Sequence, residues 1–381
     1  MDGTDVDDCG GYKDMTPTWQ TDDGLFSPFP YFGGKRKVAK EVWRRFGDVQ
    51  NYVEPFCGSC AVLLLRPSAP KTETVNDADG LLSNFWRALK YAPDATAEFA
   101  DWPVNENDLH ARHAWLVGQK DSLQSKLEGD PEFYDARIAG WWVWGIACWI
   151  GSGWCSGKGP WQVQEIDGIR QLVHVGSAGQ GVNRKRERLT GFSETGVNAI
   201  GIWKAGPQLN NNSISIQRKR PVINGGAGGN ASLPSNPDLM DYFRTLSERL
   251  RRVRVCCGDW QRVCGPSVTF GHGMTGVFLD PPYADTAKRA SNLYRVDCEQ
   301  VAHAVKEWAI EQGKNSLMRI ALCGYSDEHV MPENWECFSW KQGDGYGGQA
   351  KERSNNGAKE RIWFSPACSK PSGDLFDKRT P

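Results

Sequence analysis

Residues 51–91 alternate between short apolar runs and amphipathic segments, and this order constrains the fold more than any other feature of the chain. The stretch NYVEPFCGSCAVLLL (51–65) predicts a strand, a glycine turn and a helix. The stretch TETVND (72–77) predicts a second strand that ends in an acid, and DGLLSNFWRALKY (79–91) predicts a second helix. This strand–helix–strand–helix order is typical of a parallel α/β sheet.

The same order returns near residue 236. Four apolar runs in this later part predict further strands: 253–260, 275–283, 319–325 and 360–365. Helical periodicity predicts additional helices within 31–47, 236–253 and 299–313. The interval between the two regions lacks the alternation, which indicates that other structure interrupts the sheet.

These patterns predict the domain organisation. We expect an α/β fold with a Rossmann-like sheet built from residues 26–100 and 235–365. A long, partly helical insertion, 101–234, would interrupt that sheet domain. Residues 1–25 and 366–381 are expected to be tails.

Composition narrows the class of protein. No run of about 18 apolar residues predicts a membrane span, and the acidic start lacks the basic and apolar regions of a signal peptide. We therefore expect a cytoplasmic protein that makes no membrane contact and keeps its 12 cysteines reduced. Cys57 and Cys60 form one C-x-x-C, but no second pair follows at zinc spacing, so no bound metal is expected.

Positive charge is concentrated in one segment, although the net charge of the chain is only -1. Residues 176–233 contain eight Lys or Arg against two Glu, among many Gly, Asn and Ser. One interpretation is a solvated loop, and the other is an arm that contacts nucleic-acid phosphates. The candidate contacts within it are Arg184, Lys185, Arg186, Arg218, Lys219 and Arg220.

The turn EPFCGS (54–59) is the first candidate site, because ligands bind at the carboxyl ends of strands in open parallel sheets. Gly58 would let a ligand approach the backbone closely, and Asp77, at the end of the next strand, is suited to ribose hydroxyls. An ordinary strand–helix connection with a capping acid has the same pattern. The chain has neither G-x-G-x-x-G nor a P-loop motif, which disfavours a nicotinamide cofactor and P-loop NTPase chemistry.

The stretch GVFLDPPYAD (276–285) is the second candidate site. Pro281 and Pro282 cannot donate ladder hydrogen bonds, so they end the strand and stiffen the backbone. Asp280 and the Pro281 carbonyl would then present two acceptors beside the flat ring of Tyr283. Such a set suits a planar ligand with an exocyclic amino group, although a strand that simply ends in a proline turn fits equally well.

Taken in chain order, YFGGK (31–35), EPFCGS (54–59), NDAD (76–79) and DPPY (280–283) resemble the motifs of the Dam-like DNA adenine N6-methyltransferases. GDW (258–260) resembles the short acid–aromatic motif that precedes the D-P-P-Y strand in that family. The order of the motifs makes the resemblance specific, whereas each motif alone is not.

The resemblance implies a class I methyltransferase sheet that binds S-adenosyl-L-methionine. The residues implied to bind this cofactor are Tyr31, Lys35, Phe56, Gly58, Asp77, Asp259 and Trp260. Asp280, Pro281 and Tyr283 would hold an adenine flipped out of double-stranded DNA. Two residues depart from the family pattern, because Cys60 stands where Gly or Ala is usual and Asp79 stands where Asn is usual.

The resemblance also assigns target recognition to the segment between the E-P-F and D-P-P-Y motifs, which is long in this chain. Its tryptophan-dense stretch 141–161 could wedge a DNA duplex or pack a core, and packing is the favoured interpretation. The glycine-rich turn 151–159 with Lys158 is the better candidate for DNA contact. The chain shows no restriction nuclease domain, so a solitary enzyme of phage or mobile-element type is implied.

The favoured function is methyl transfer from S-adenosylmethionine to the N6 amine of adenine in DNA. A second hypothesis keeps this chemistry but changes the substrate to an RNA adenine or a cytosine amine. A third is a non-catalytic nucleic-acid binder that retains the fold. Protein partners and the recognition sequence are not predicted.

Overall fold

The computed structural model describes residues 25–31, 33–149, 154–155, 161–174, 239–282, 301–326, 329–340 and 360–370. Its strands are β1 (Asn51–Glu54), β2 (Thr72–Asp77), β3 (Trp161–Ile166), β4 (Ile169–His174), β5 (Val253–Cys257), β6 (Thr275–Leu279), β7 (Met318–Tyr325), β8 (Glu336–Ser339) and β9 (Glu360–Phe364). Its helices are α1 (Arg36–Phe46), α2 (Ala61–Leu64), α3 (Gly80–Tyr91), α4 (Pro93–Ala100), α5 (Glu106–Gly129), α6 (Ala136–Cys148), α7 (Leu239–Leu250) and α8 (Val301–Gln312). The predicted strands and helices of the sheet domain are confirmed within a few residues of their expected bounds.

Seven strands form one sheet in the order β5-β2-β1-β6-β7-β9-β8. Neighbouring strands from β5 to β7 are parallel, and β9 runs antiparallel to both β7 and β8. The register pairs Glu54 with Val75 and Asp77 with Cys257, so parallel strands end at one common edge. The α/β class is confirmed, and this mostly parallel sheet is compatible with a Rossmann-like methyltransferase.

Helix α1 shows how the sequence pattern produces burial. Val38, Val42 and Phe46 recur every four residues, so they lie on one face of the helix, and all three are buried. On the same face, the Trp43 Nε1–H donates a hydrogen bond of 2.7 Å to the Val62 carbonyl. This packing fixes α1 against the segment that follows the first predicted site.

A buried ion triad joins the two separated parts of the sheet domain. The Glu73 carboxylate on β2 accepts from Arg66 Nη1 at 3.1 Å and from Arg249 Nη1, on α7, at 2.7 Å. All three side chains are buried, so each charge depends on its partners for the stabilisation that water would otherwise provide. The triad therefore ties α7 to β2 across a long separation in sequence.

The region between β2 and β5 contains α3 to α7 and the antiparallel hairpin of β3 and β4. Gly140 on α6 faces Thr96 and Phe99 without space for a Cβ atom, which lets α4 and α6 approach closely. Trp142 and Trp144 are buried, in agreement with the packing interpretation of the tryptophan-dense stretch. The use of residues 101–234 as an insertion for target recognition stays a prediction.

Two broader expectations can be compared with the described residues. The ten cysteines among them are all free thiols, and most are buried. Within the same residues, no helix combines the length and apolar character needed to cross a membrane.

Candidate active site

The carboxyl edge of the sheet gathers four strand ends that carry acids. Glu54 ends β1, Asp77 ends β2, Asp259 follows β5, and Asp280 follows β6. The chain adds β2 and β5 on one side of β1, and later adds β6 and β7 on the other side. Ligands bind in open α/β sheets where the strand order reverses in this way, so the edge between β1 and β6 is the candidate site.

The loop before α1 covers this edge and uses the glycine of the first predicted site. Gly58 has φ 44°, and a Cβ atom there would lie 2.6 Å from Cε1 of Tyr31. The Tyr31 ring therefore occupies the space that the missing side chain leaves. The Gly58 carbonyl accepts from Trp86 Nε1–H at 2.9 Å, which fixes the turn from the opposite side.

Asp77 holds the turn through both of its carboxylate oxygens. Oδ2 accepts from the Gly58 N–H at 3.0 Å, and Oδ1 accepts from the Asp79 N–H at 2.9 Å. Burial raises the pKa of Asp77 to about 6, against the opposing effect of the Asp79 N–H. The carboxylate is thus oriented by the backbone and titrates close to neutral pH.

The raised pKa of Asp77 leads to a pH prediction. A carboxylate accepts hydrogen bonds from ribose hydroxyls, whereas protonation removes charge and part of that acceptor capacity. With a pKa near 6, the ionised fraction falls about tenfold from pH 7 to pH 5, so S-adenosylmethionine affinity should fall by up to about tenfold. Calorimetric titration at several pH values would measure this affinity. The variant Asp77→Asn should bind more weakly and show no dependence on pH in this range. A wild-type affinity that is equally independent of pH would contradict the expected contact between Asp77 and the ribose.

The two departures from the family pattern have different structural consequences. Cys60 has φ 51°, a left-handed conformation that glycine adopts without steric cost and that cysteine or alanine adopts with strain. The chain accommodates the extra side chain by burying it completely. Asp79 caps α3, because its Oδ1 accepts from the Leu81 N–H at 2.9 Å, as an asparagine oxygen would.

Asn76 is a site residue that the sequence reasoning missed. Its buried Nδ2 donates to the Pro55 carbonyl at 3.1 Å and to the Gly258 carbonyl at 2.9 Å. The backbone carbonyl of Asn76 accepts a hydrogen bond from the Cys57 N–H at 2.9 Å. Asn76 thus joins the ends of β1 and β5, and the available signal was a polar amide directly before the strand-end acid in NDAD.

Lys35 and Asp280 form an ion pair at the other side of the edge. The distance from Lys35 Nζ to Asp280 Oδ2 is 2.9 Å, and Lys35 is buried. The same Nζ donates to the Gly33 carbonyl at 2.9 Å, which positions the ammonium group. The resemblance implies that Lys35 lies beside the cofactor, which stays a prediction. The structure shows that its ammonium group contacts Asp280, the acid of the D-P-P-Y motif.

Glu54, the first residue of EPFCGS, is a second residue whose role the sequence reasoning left open. It is buried, and its Oε2 accepts from the Tyr52 hydroxyl at 2.9 Å. Burial raises the pKa of Glu54 to about 8, and the negative charge of Asp280 adds to this effect. Glu54 is therefore mostly protonated at neutral pH and carries little negative charge at the end of β1.

The acid–aromatic motif after β5 adds a flat surface to the same edge. The rings of Phe56 and Trp260 have centroids 6.2 Å apart with an interplanar angle of 30°. Asp259 is exposed, and its Oδ1 accepts from the Gln261 N–H at 2.9 Å, which starts a 3₁₀ turn. The Gly258 N–H donates to the Asp77 carbonyl at 3.0 Å, so the motif lies next to the turn around Asp77.

The structure brings together most of the predicted site residues. Those found along the carboxyl edge are Tyr31, Lys35, Phe56, Gly58, Asp77, Asp259, Trp260, Asp280 and Pro281. Tyr283 lies outside the described residues, as do the predicted nucleic-acid contacts Lys158, Arg184, Lys185, Arg186, Arg218, Lys219 and Arg220. These remaining assignments stay predictions.

Comparison with known proteins bears on the amino-terminal part of this site. Residues 31–113 match the family model of the D12 class N6 adenine-specific DNA methyltransferases. The matched range contains YFGGK, EPFCGS and NDAD, together with α1 to α4. No curated protein matches the chain. The resemblance to the Dam-like adenine methyltransferases is therefore confirmed over residues 31–113, which are similar to the D12 class of N6 adenine-specific DNA methyltransferases.

Proposed function

We propose that this protein transfers a methyl group from S-adenosylmethionine to the N6 amine of an adenine in double-stranded DNA. The observation that carries the proposal is the Lys35–Asp280 ion pair, which joins the first and last motifs across the strand-order reversal. The family match supports the class of reaction, and the positions of the strand-end residues support their proposed roles.

The residues at the strand ends fit the proposed cofactor. Asp77 offers an oriented carboxylate to ribose hydroxyls, and the partly exposed Phe56, which packs against the buried Trp260, offers flat apolar surface to an adenine ring. Tyr31 and Gly58 form the adjoining wall. S-adenosylmethionine, when bound, supplies an electrophilic methyl group on a positively charged sulfur that leaves as a neutral thioether.

Asp280 acts on the target amine. An adenine amine is a poor nucleophile because its lone pair is delocalised into the ring. Hydrogen bonds from the amine to Asp280 and to the Pro281 carbonyl favour the pyramidal nitrogen and return the lone pair to it. With S-adenosylmethionine bound, its methyl group would pass to this nitrogen and the sulfur would keep the bonding pair as a neutral thioether. The surplus amine proton, oriented by its hydrogen bond to the Asp280 carboxylate, would be released to water. Positioning and electrostatics supply the catalysis, without a strong base.

Lys35 has a positioning role in this scheme. Its ammonium group holds Oδ2 of Asp280, so the plane of the carboxylate is set before the substrate arrives. Protonated Glu54 adds no second negative charge beside this pair at neutral pH. The base must leave the duplex to reach Asp280, at a cost of about a few kcal/mol that protein–DNA contacts must offset.

The direct test is a methylation reaction on unmethylated DNA. Purified protein and S-adenosylmethionine are incubated with DNA, which is then digested to nucleosides and analysed by mass spectrometry. The expected product is N6-methyl-2′-deoxyadenosine, and a reaction without the cofactor is the control. Methylation of RNA or of a cytosine amine would support the second hypothesis, and cofactor binding without any methylated product would favour the binder.

The basic segment 176–233 is proposed to supply phosphate contacts. Its excess of six positive charges, from eight Lys or Arg and two Glu, should make DNA affinity strongly salt-dependent. Deleting the segment should weaken DNA binding by about tenfold or more at low salt, with cofactor affinity unchanged. Fluorescence anisotropy with labelled DNA at two salt concentrations would measure this; equal affinity and an equal salt slope without the segment would refute it.

A further inference from the structure

A second concave surface lies between α4, α5 and α6 and uses none of the strand-end residues. It is a cleft of about 620 Å³ with mostly apolar walls. Its aromatic walls are Phe99, Trp102, Trp115 and Trp141. Phe99 is 37% exposed and Trp102 is 44% exposed, so these two rings present free surface to a ligand.

A buried arginine lies within this cleft. Arg112 is 8% exposed, and its guanidinium carbon lies 4.8 Å from the ring centroid of Trp102, 4.9 Å from that of Trp141 and 4.4 Å from that of Trp144. The three rings hold the guanidinium group in one position. Its Nη1 atom is buried and has no hydrogen-bond partner within the described part of the chain.

The buried Nη1 shows that the guanidinium group has not found all of its acceptors within the described part of the chain, and Arg112 also lines the cleft, so the part of the group that faces the cleft can donate to a ligand. Buried polar groups nearly always have hydrogen-bond partners, and a buried donor without an acceptor is destabilising. Arg112 is also fixed in advance by its aromatic neighbours, so little conformational freedom would be lost when it donates to a ligand.

The cleft also contains acceptors. Asp108 and Glu98 line it, and the Asp108 carboxylate is oriented by bonds to Oδ2 from Trp102 Nε1 at 2.5 Å and Asn105 Nδ2 at 2.6 Å. Two carboxylates disfavour an anionic ligand. They favour a neutral, flat molecule that accepts from Arg112 on one edge and donates to a carboxylate on another.

We propose that this cleft binds the guanine base of an unpaired nucleotide. Guanine presents O6 and N7 as adjacent acceptors for an arginine, and its N1–H and amino group can donate to a carboxylate. Stacking on Trp102 or Phe99 would supply the sequence-tolerant part of the affinity. Adenine matches less well, because its amino group stands where guanine has the O6 acceptor. The nucleic-acid setting rests on the proposed function, whereas base binding itself can be measured separately.

The test uses ligand-observed NMR titration with the four deoxynucleosides. The full chain is saturated with S-adenosylhomocysteine, so that the proposed cofactor pocket cannot take up the probe. Deoxyguanosine is expected to bind at least about tenfold more tightly than the other three. Trp102→Ala should weaken binding by about tenfold, and Arg112→Lys should remove the preference for guanine. Tyr91→Ala, which removes a 49% exposed aromatic ring outside the cleft, should change neither the deoxyguanosine affinity nor the preference for guanine.

The outcomes separate this proposal from the proposed methylation. Equal binding of all four deoxynucleosides, no binding, or unchanged deoxyguanosine affinity in Trp102→Ala would overturn the cleft proposal, even if the protein methylates DNA. Loss of stability in Arg112→Lys, with no nucleoside bound by the wild type, would assign Arg112 a packing role alone. Selective deoxyguanosine binding without methylated product would keep the cleft and reject the methyltransferase activity.

Discussion

Replacing Asp280 with alanine is expected to lower the methylation rate by about 10²–10³-fold or more, with S-adenosylmethionine affinity within about twofold of the wild type. The carboxylate accepts from the target amine only as the nitrogen becomes nucleophilic, so its loss removes an interaction of the transition state. Asp77, Trp260 and the Gly58 turn, which are proposed to hold most of the cofactor, are unchanged by the substitution, and Lys35 keeps its hydrogen bond to the Gly33 carbonyl. Single-turnover methylation and calorimetric cofactor titration measure the two quantities separately.

The ion pair makes controls necessary, because Asp280→Ala leaves the buried ammonium of Lys35 without its carboxylate partner. Unpaired buried charge is destabilising, so the melting temperature of the variant should fall. The double variant Lys35→Met, Asp280→Ala removes the charge and should recover stability without recovering activity. Asp280→Asn keeps the shape and one acceptor oxygen, and should retain more activity than Asp280→Ala. Methylation by Asp280→Ala at the wild-type rate would exclude the proposed role.

The sheet was predictable from the sequence because its signals are local. Apolar runs that end in acids, such as TETVND, carry their own boundaries, and α1 shows its buried face as a repeat of four residues. Strand β8 was not predicted, since its four residues are mostly exposed and show little apolar contrast. The hairpin of β3 and β4 could have been predicted from its Asp-Gly turn, where Asp167 has φ 53° and Gly168 has φ 75°.

The site was predictable only in part, because its critical contacts join residues that are distant in sequence. The motifs indicate which residues approach the strand ends, but not that Lys35 reaches Asp280 or that Asn76 links Pro55 to Gly258. Each of these contacts depends on strand order, which local patterns do not encode. The Arg112 cleft is similar, since its rings come from a loop and three helices whose mutual packing the sequence does not show.

Replacing Gly58 with alanine is expected to lower S-adenosylmethionine affinity by about tenfold to 10²-fold. The residue has φ 44°, where a side chain costs about 1–2 kcal/mol. Its Cβ would also lie 2.6 Å from Cε1 of Tyr31, so the ring and the loop that carries Lys35 must shift. A displacement of about 1 Å in a positioning group can cost about 10²-fold in activity. Calorimetric titration gives the cofactor affinity, and thermal unfolding gives the stability.

Gly168→Ala is the matched control for this substitution. Gly168 also has a positive φ, 75°, but nothing lies within 4 Å of a Cβ placed there, and the residue is in the hairpin turn rather than at the strand ends. Both variants should lose stability from backbone strain, and Gly58→Ala should lose more because of the clash with Tyr31; only Gly58→Ala should lose cofactor affinity. Adding Tyr31→Ala to Gly58→Ala relieves the clash and should recover the stability lost to it, but not the affinity, because the wall formed by Tyr31 is then absent. If Gly58→Ala behaved like Gly168→Ala in both measurements, the turn would be a structural connection and the cofactor would have to bind elsewhere on the sheet edge.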